Sequence, residues 1–203
     1  MSMRRQSEEP DTAAQVLDVA ERLVQRQGFN GFSYADIAAE LGLTKAALHY
    51  HFAGKADLGE ALVARYAARF AVALDALDGA GADAPAKLEG YTNLYLDVLR
   101  NERMCLCGML AAEFQTLPAP MRTAVVEFFD YNERWLAGVL EGGRDEGAMR
   151  FQGPPAERAR MIVGALEGAM LVARTYGEVA RFETAAAQLV HELVIRTADT
   201  TST

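Results

Sequence analysis

Val16, Ala20, Leu23 and Val24 recur at the three- and four-residue steps of one helical face, and Leu58, Leu62, Tyr66, Phe70 and Leu74 repeat that step further along. Alternating runs of Ile, Val and Thr are nearly absent, so the pattern predicts helix almost throughout and no sheet. Thr12 and Gln15 have the spacing of a capping box, and Gly28 closes the first predicted helix. Ser33 with Asp36 opens a second, which Gly42 ends after about two turns. Thr44 caps a third running toward Tyr50; Ala53 and Gly54 break it before a longer helix starting at Lys55. Residues 78–85, rich in Gly, Ala and Asp, read as a loop. Five more helices are predicted near 85–102, 104–116, 118–146, 154–176 and 178–197, and residues 198–203 read as a frayed polar tail. Pro118, Pro120, Pro154 and Pro155 suit helix starts, where a missing N–H costs little. The expected fold is all-α with about nine helices, divided into a three-helix head, 1–57, and a larger helical body, 58–203.

At 203 residues and 51% hydrophobic content, the chain is long enough to bury a sizeable core. No apolar run reaches the roughly 20 residues of a membrane span. The start of the chain is too polar for a signal peptide, and Cys105 and Cys107 are too few for a disulfide framework, so a cytoplasmic protein is expected. The formal net charge of −8 argues against a chain that coats nucleic acid indiscriminately. Residues 44–55, however, contain no acid while holding Lys45, His49, His51 and Lys55, a local positive surface on an acidic molecule.

That stretch lies in the segment SYADIAAELGLTKAALHYHFAGK, residues 33–55. Two short helices crossing closely need a small residue at the crossing, a left-handed turn residue and an apolar anchor on the second helix. Ala38, Gly42 and Leu48 supply these at spacings of four and six. Ile37, Leu41 and Leu43 complete the apolar side, which leaves Thr44, Lys45, Ala46, His49 and Tyr50 pointing outward. A protruding helix with small residues at its start can enter the major groove of B-form DNA.

The segment resembles the N-terminal signature of the TetR family of one-component repressors. Gly28-Phe29, Ser33-Tyr34, Ile37-Ala38, Leu41-Gly42-Leu43, Thr44-Lys45, Leu48 to Phe52 and Lys55 to Leu58 carry the resemblance. It implies that Ser33 and Tyr34 approach phosphates and that Thr44, Lys45 and Ala46 open a recognition helix. His49 and Tyr50 are then expected to reach the groove, with His51 near the backbone and Lys55 on another phosphate. His49 stands where the family often has tyrosine. The resemblance further implies a dimer on double-stranded operator DNA, because two half-sites about 34 Å apart turn weak single grips into useful affinity.

The last two helices are the expected dimer surface: Met161, Ile162, Ala165, Ala169, Met170 and Val172 interleave with Gly164 and Gly168, followed by Leu189, Val190, Leu193 and Val194. Between the fifth and eighth helices lie Met104, Met109, Phe114, Met121, Phe128, Phe129, Tyr131 and Trp135, a region where family members hold a small-molecule effector. The candidate ligand residues are Met104, Cys105, Met109, Glu113, Phe128, Tyr131 and Trp135, with Glu113 as a polar anchor or an exposed turn residue. The run from Cys105 to Glu113 also resembles the TetR subgroup that represses N-ethylmaleimide reductase, which implies electrophile or oxidant sensing at Cys105. Such a thiol needs access and a lowered pKa, which a helix start after Glu102-Arg103 could offer; the plainer reading makes both cysteines small apolar residues. Two residues apart, they diverge on a helix and make no metal site. No catalytic constellation stands out, and neither an enzyme nor a cofactor is expected. A helical ligand carrier without DNA is the remaining alternative, and it would not need the bare basic face.

Overall fold

Short-range capping decides where the helices of the head begin and end. The computed structural model describes residues 12–195, and its first helix, α1, spans Thr12–Gln27. Ser33 precedes α2 (Tyr34–Leu41), where its Oγ accepts from Ala35 N at 3.2 Å and Asp36 accepts from Ser33 N at 2.7 Å. Gly42 ends that helix with φ +65°, a left-handed turn that a side chain would strain. Thr44 Oγ1 then accepts from Ala47 N at 3.1 Å and starts α3 (Lys45–His51). Helix α4 (Lys55–Gly79) carries the chain out of the head without a break, so the border expected at 57/58 falls in its first turn.

The body continues with α5 (Ala84–Arg100), α6 (Leu106–Ala112), a 3₁₀ turn at Phe114–Thr116, α7 (Ala119–Asp145), α8 (Pro155–Tyr176) and α9 (Val179–Leu193). Helix α7 packs on α8, α4 and α5, and α9 packs on α8 and α5. One apolar core runs through both parts, from Val16 and Val24 in α1 through Leu62, Leu88 and Leu136 to Phe182 in α9. No helix among the described residues is long and apolar enough to cross a membrane.

Four sequence expectations are corrected. Thr12 is already helical, so it is not the cap that its pairing with Gln15 suggested. The loop expected over 78–85 is shorter, because Lys87 and Trp135 Nε1 hold Asp78 at 2.8 and 2.9 Å in the last turns of α4, and Asp83 caps Ala86 N at 2.9 Å. Helix α6 does not start at 104: Glu102 takes φ +57°, Met104 N donates to Gln25 O at 3.2 Å, and Cys105 becomes the cap residue. Helix α9 stops at Leu193 because Val194 forms an isolated antiparallel bridge with Met149, a fragment of strand pairing in a chain expected to have none. Residues 196 and 197 of the predicted last helix, and the tail 198–203, lie outside the described residues.

Candidate nucleic-acid interface and its coupling to the core

Leu48, fully buried like Ile37 and beside buried Ala38, pins α3 against α2 and turns the opposite side of α3 outward. Lys45, Ala46, His49 and His51 are exposed there, and Tyr50 is 87% exposed, far beyond what a ring of its size normally accepts in a folded chain. His49 Nδ1 lies 3.0 Å from Ala53 O. Donation to that carbonyl places the proton on Nδ1 and leaves Nε2 for an outside partner. The rings of Tyr50 and His51 meet edge to face at 5.2 Å. This face is small, bare and carries a cation at its first turn, which suits approach to a phosphate-lined groove.

The other candidates of the head are occupied internally. Ser33 and Thr44 spend their hydroxyls on caps. Tyr34 donates to Phe52 O at 3.1 Å, its ring rests on His49 at 4.9 Å, and burial with nearby Asp57 pushes its phenol up to about 12. Lys55 donates to Phe32 O and sits over the Phe29 and Phe32 rings at 4.8 and 4.1 Å to their centroids. Burial lowers its pKa against the opposing pull of Glu113 and Asp36. Ser33, Tyr34 and Lys55 thus brace the α3 face, and Lys55 is a clasp across the turn after α1.

Head and body meet along a polar seam at the end of α1. Glu113, just past α6, accepts from Phe29 N at 2.6 Å and from Asn30 N at 3.3 Å, and a Cβ on Gly28 would lie 2.7 Å from its Oε1. Asn30 Nδ2 donates to Thr116 Oγ1 at 2.7 Å, and Arg174 near the end of α8 donates to Arg26 O. On the neighbouring side, buried Glu21 of α1 is held by Arg65 and Arg69 of α4 at 3.1 and 2.5 Å. Sequence reasoning offered Glu113 as a ligand anchor or an exposed turn; the structure gives it an internal role as a strut between the two parts. Arg174 and Glu21 were missed, since nothing local marks a partner so distant in sequence.

Beyond the seam, the expected ligand residues divide. Met104, Cys105 and Phe128 are buried, Met109 packs half-buried on the core, and Trp135 stacks on Tyr91 at 5.6 Å. Tyr131 is 37% exposed, and with Phe128 it lines a groove of ≈ 360 Å³ between α4 and α7. The expectation of an accessible, acidified thiol is corrected: burial, with Glu167 next, pushes Cys105 well above the ordinary thiol value, against the single N–H offered by Gly108 at 3.5 Å. Cys107 is likewise buried and raised. Around these thiols lies a polar cluster that went unread: Tyr66 Oη donates to Cys105 Sγ at 3.7 Å, Tyr91 and Tyr95 hydroxyls are 3.0 Å apart, and Tyr91 donates to Asn132 Oδ1 at 3.3 Å. Glu167 of α8 lies beside Cys105, and burial raises its carboxyl to about 7. An acid inside an otherwise apolar and small-residue stretch of α8 was the signal available in the sequence.

Two family models account for most of the chain. Residues 16–62 match bacterial regulatory proteins of the tetR family, and residues 84–189 match the tetracyclin repressor-like C-terminal domain. The chain belongs to the tetR family. It is therefore a transcriptional regulator with a DNA-binding helix-turn-helix, and not an enzyme. It is 26% identical to the transcriptional repressor NemR of Escherichia coli K12, over 82% of this chain and 85% of that one. It is 33% identical to the probable regulator ArpR of Pseudomonas putida, but that match spans only about half of either protein, 48% and 49%. A solved tetR-family regulator from Agrobacterium tumefaciens superimposes with a TM-score of 0.87 at 30% identity, covering 90% of this chain and 97% of that one.

In this tetR-family chain α8 keeps apolar side chains on its outer face, while the exposed side of α9 is polar or alanine. Met161 is 49%, Leu171 47%, Val172 53% and Tyr176 59% exposed, with Gly164 and Ala165 uncovered beside them. The expected interface residues split across the helices: Met161, Ala165 and Val172 look outward, whereas Ile162, Met170, Val190 and Leu193 are buried in the chain's own core. His191 is exposed on α9.

Proposed function

We propose that this regulator works as a homodimer that grips a palindromic duplex operator through the outward face of α3 and lets go when a small-molecule effector occupies the body. The observation that carries the reading is the Tyr50 ring, 87% exposed on a capped helix beside Lys45. Lys45, Ala46, His49, Tyr50 and His51 make the contacts with DNA; Ser33, Tyr34, Thr44 and Lys55 hold the frame. Residues 1–57 serve as the reading head and 58–203 as the sensing and pairing body, at work in the cytoplasm where operator DNA is found. The last two helices supply the pairing surface, with α8 at its centre, because its adjacent exposed apolar side chains with glycines between them allow close helix approach.

Release is a shift of population between two dimer geometries. Helix α6 has the thiol cluster at its start and the Glu113 strut at its end, so a displacement in the core reaches the end of α1 through one short rigid element. Effector binding then respaces the two α3 helices away from one turn of duplex. Electrophile sensing at Cys105 is the second reading, supported by the similarity to NemR. It requires α6 to open first, since the thiol is covered and held protonated, and the reversible effector is preferred for that reason. A carrier without DNA is not favoured, because the match to tetR-family regulators covers the head itself.

The test is selection of genomic fragments by the full chain, followed by binding of the recovered duplex to Lys45→Ala and Tyr50→Ala variants. The reading expects a sequence with two half-sites about one helical turn apart and weaker binding by both variants, with folding and pairing intact. Failure to enrich any duplex, or unchanged binding by both variants, overturns it.

A further inference from the structure

Glu167 is a half-buried acid of α8 whose carboxyl turns toward the body's core beside Cys105 and Gly108, and it is incompletely satisfied. Its Oε1 is buried without a hydrogen-bond partner, and its remaining contact is with the Cys105 thiol. The groups that feel its field are Cys105 and Cys107 of α6, Tyr66 of α4, and Tyr91 and Tyr95 of α5, every one of them neutral when protonated. No Lys, Arg or His among the described residues pairs with it. Gly108 gives it room: a Cβ there would overlap Glu167 Oε2, so the carboxyl would have to swing aside. A buried acid in this state costs stability unless something compensates it.

The surroundings indicate what the compensation is. Phe70 meets Tyr91, Tyr95 and Phe128 edge to face at 6.3, 6.2 and 5.2 Å, and Tyr66 lies 5.6 Å from Phe128. Ring faces carry negative potential and attract a cation, as does a carboxylate; an anion is repelled by both. The α4–α7 groove is lined by Ala67, Ala71, Ala124 and the exposed acid Glu127, with the rings of Phe70 and Phe128. Those two rings separate it from Tyr66, whose hydroxyl touches Cys105, the partner of Glu167. At ≈ 360 Å³ the groove has the size of a small-ligand site.

We propose that the effector of this regulator is a small organic ammonium with an apolar body, which enters through the α4–α7 groove and pairs its charge with Glu167 inside the ring of Tyr66, Phe70, Tyr91, Tyr95 and Phe128. This rests on the effector-release reading above, whose head-and-operator half it leaves untouched. Pairing displaces the Cys105 contact at the start of α6 and so acts on the helix that carries the Glu113 strut.

The test is calorimetric binding of phenethylammonium, phenethyl alcohol and phenylacetate to the full-length protein without DNA. The ammonium is expected to bind, the isosteric alcohol at least about tenfold more weakly, and phenylacetate not at all. Because a cation selects the ionised carboxyl, its affinity rises about tenfold from pH 6 to pH 8 as that form goes from about a tenth to about nine tenths of the protein. Glu167→Gln keeps the shape and loses both the binding and the pH slope; Gly108→Ala, which displaces the carboxyl, does the same, while Cys105→Ser retains them. Equal affinity for alcohol and ammonium, a flat pH profile, or full binding by Glu167→Gln overturns the assignment. Ammonium binding that leaves operator affinity unchanged sinks the effector-release reading and keeps the cation site; operator release by the neutral alcohol alone does the reverse.

Discussion

Replacing Glu113 by Ala tests the physical connection between sensing and reading. The carboxylate receives Phe29 N at 2.6 Å and Asn30 N at 3.3 Å, at the turn that follows α1. Hydrogen bonds to a charged group contribute about 1.5–3 kcal/mol each when sheltered, and an amide left facing the gap costs more unless water reaches it. Glu113 is half-buried, so water recovers part of the loss, and the two bonds share one carboxylate; a total near 2 kcal/mol is the reasoned figure. For a chain of this length that corresponds to a fall in melting temperature of about 4–8 °C. The α3 fold itself depends on Leu48, Ile37 and the caps, so the variant still binds operator, but the effector concentration that releases it rises because α6 no longer pulls on α1. Calorimetric melting and anisotropy titration of the operator with and without effector measure both effects. A melting point within about 1 °C of the parent, together with unchanged release, refutes the strut. Combining the variant with Arg174→Ala, which frees Arg26 O on the same end of α1, is expected to cost less than the two single losses summed, since both act on one seam.

Lys45→Ala is expected to lower operator affinity for all sequences and to reduce the salt slope by about one, whereas Tyr50→Ala weakens binding with little change in slope; salt-dependent anisotropy separates them. Lys55→Met keeps the stem over Phe29 and Phe32 and is expected to leave the salt slope unchanged; a loss as large as that of Lys45→Ala returns Lys55 to a phosphate. Glu167 sets a pH dependence of stability. Its carboxyl is raised from 4.5 to about 7, so the folded chain holds the proton more tightly, and the contribution is full below 4.5 and lost as pH rises through 7. Denaturation between about pH 5 and pH 8 is expected to show a loss of about 2.5 kcal/mol from this group, absent in Glu167→Gln, which is then the more stable protein at pH 8. A parallel fall in both proteins rules this out. Leu171→Asp with Val172→Asp places charge on the outer face of α8 and is expected to yield folded monomers by light scattering with operator binding lost.

The head was largely legible because its signals are local. Ser33 with Asp36, Gly42, Thr44 and Leu48 are each set by residues within one or two helical turns, and the structure places them as their spacing implied. Lys55 shows where that logic stops: a lysine at a helix start reads as a solvent-facing cation, yet Phe29 and Phe32 fold back beneath it and draw it inward. Cys105 shows the same in the body. A thiol at a helix start reads as acidified, but Tyr66 of α4 and Glu167 of α8 lie against it in the packed core, and desolvation outweighs the single N–H it accepts. The early stop of α9 depends on Met149, and Glu167 comes to lie beside Gly108, partners that only the packed chain supplies. Among the outer-helix residues, periodicity marked the apolar positions but could not divide them between the chain's own core and the face left uncovered.

Sedimentation of the chain mixed with its selected duplex measures the central claim most directly, since it counts protomers on DNA. The account predicts complexes of two chains per two-half-site duplex, or multiples of two, dissolved by Leu171→Asp with Val172→Asp. A complex of one chain per duplex, or a paired protein that leaves the duplex free, contradicts it.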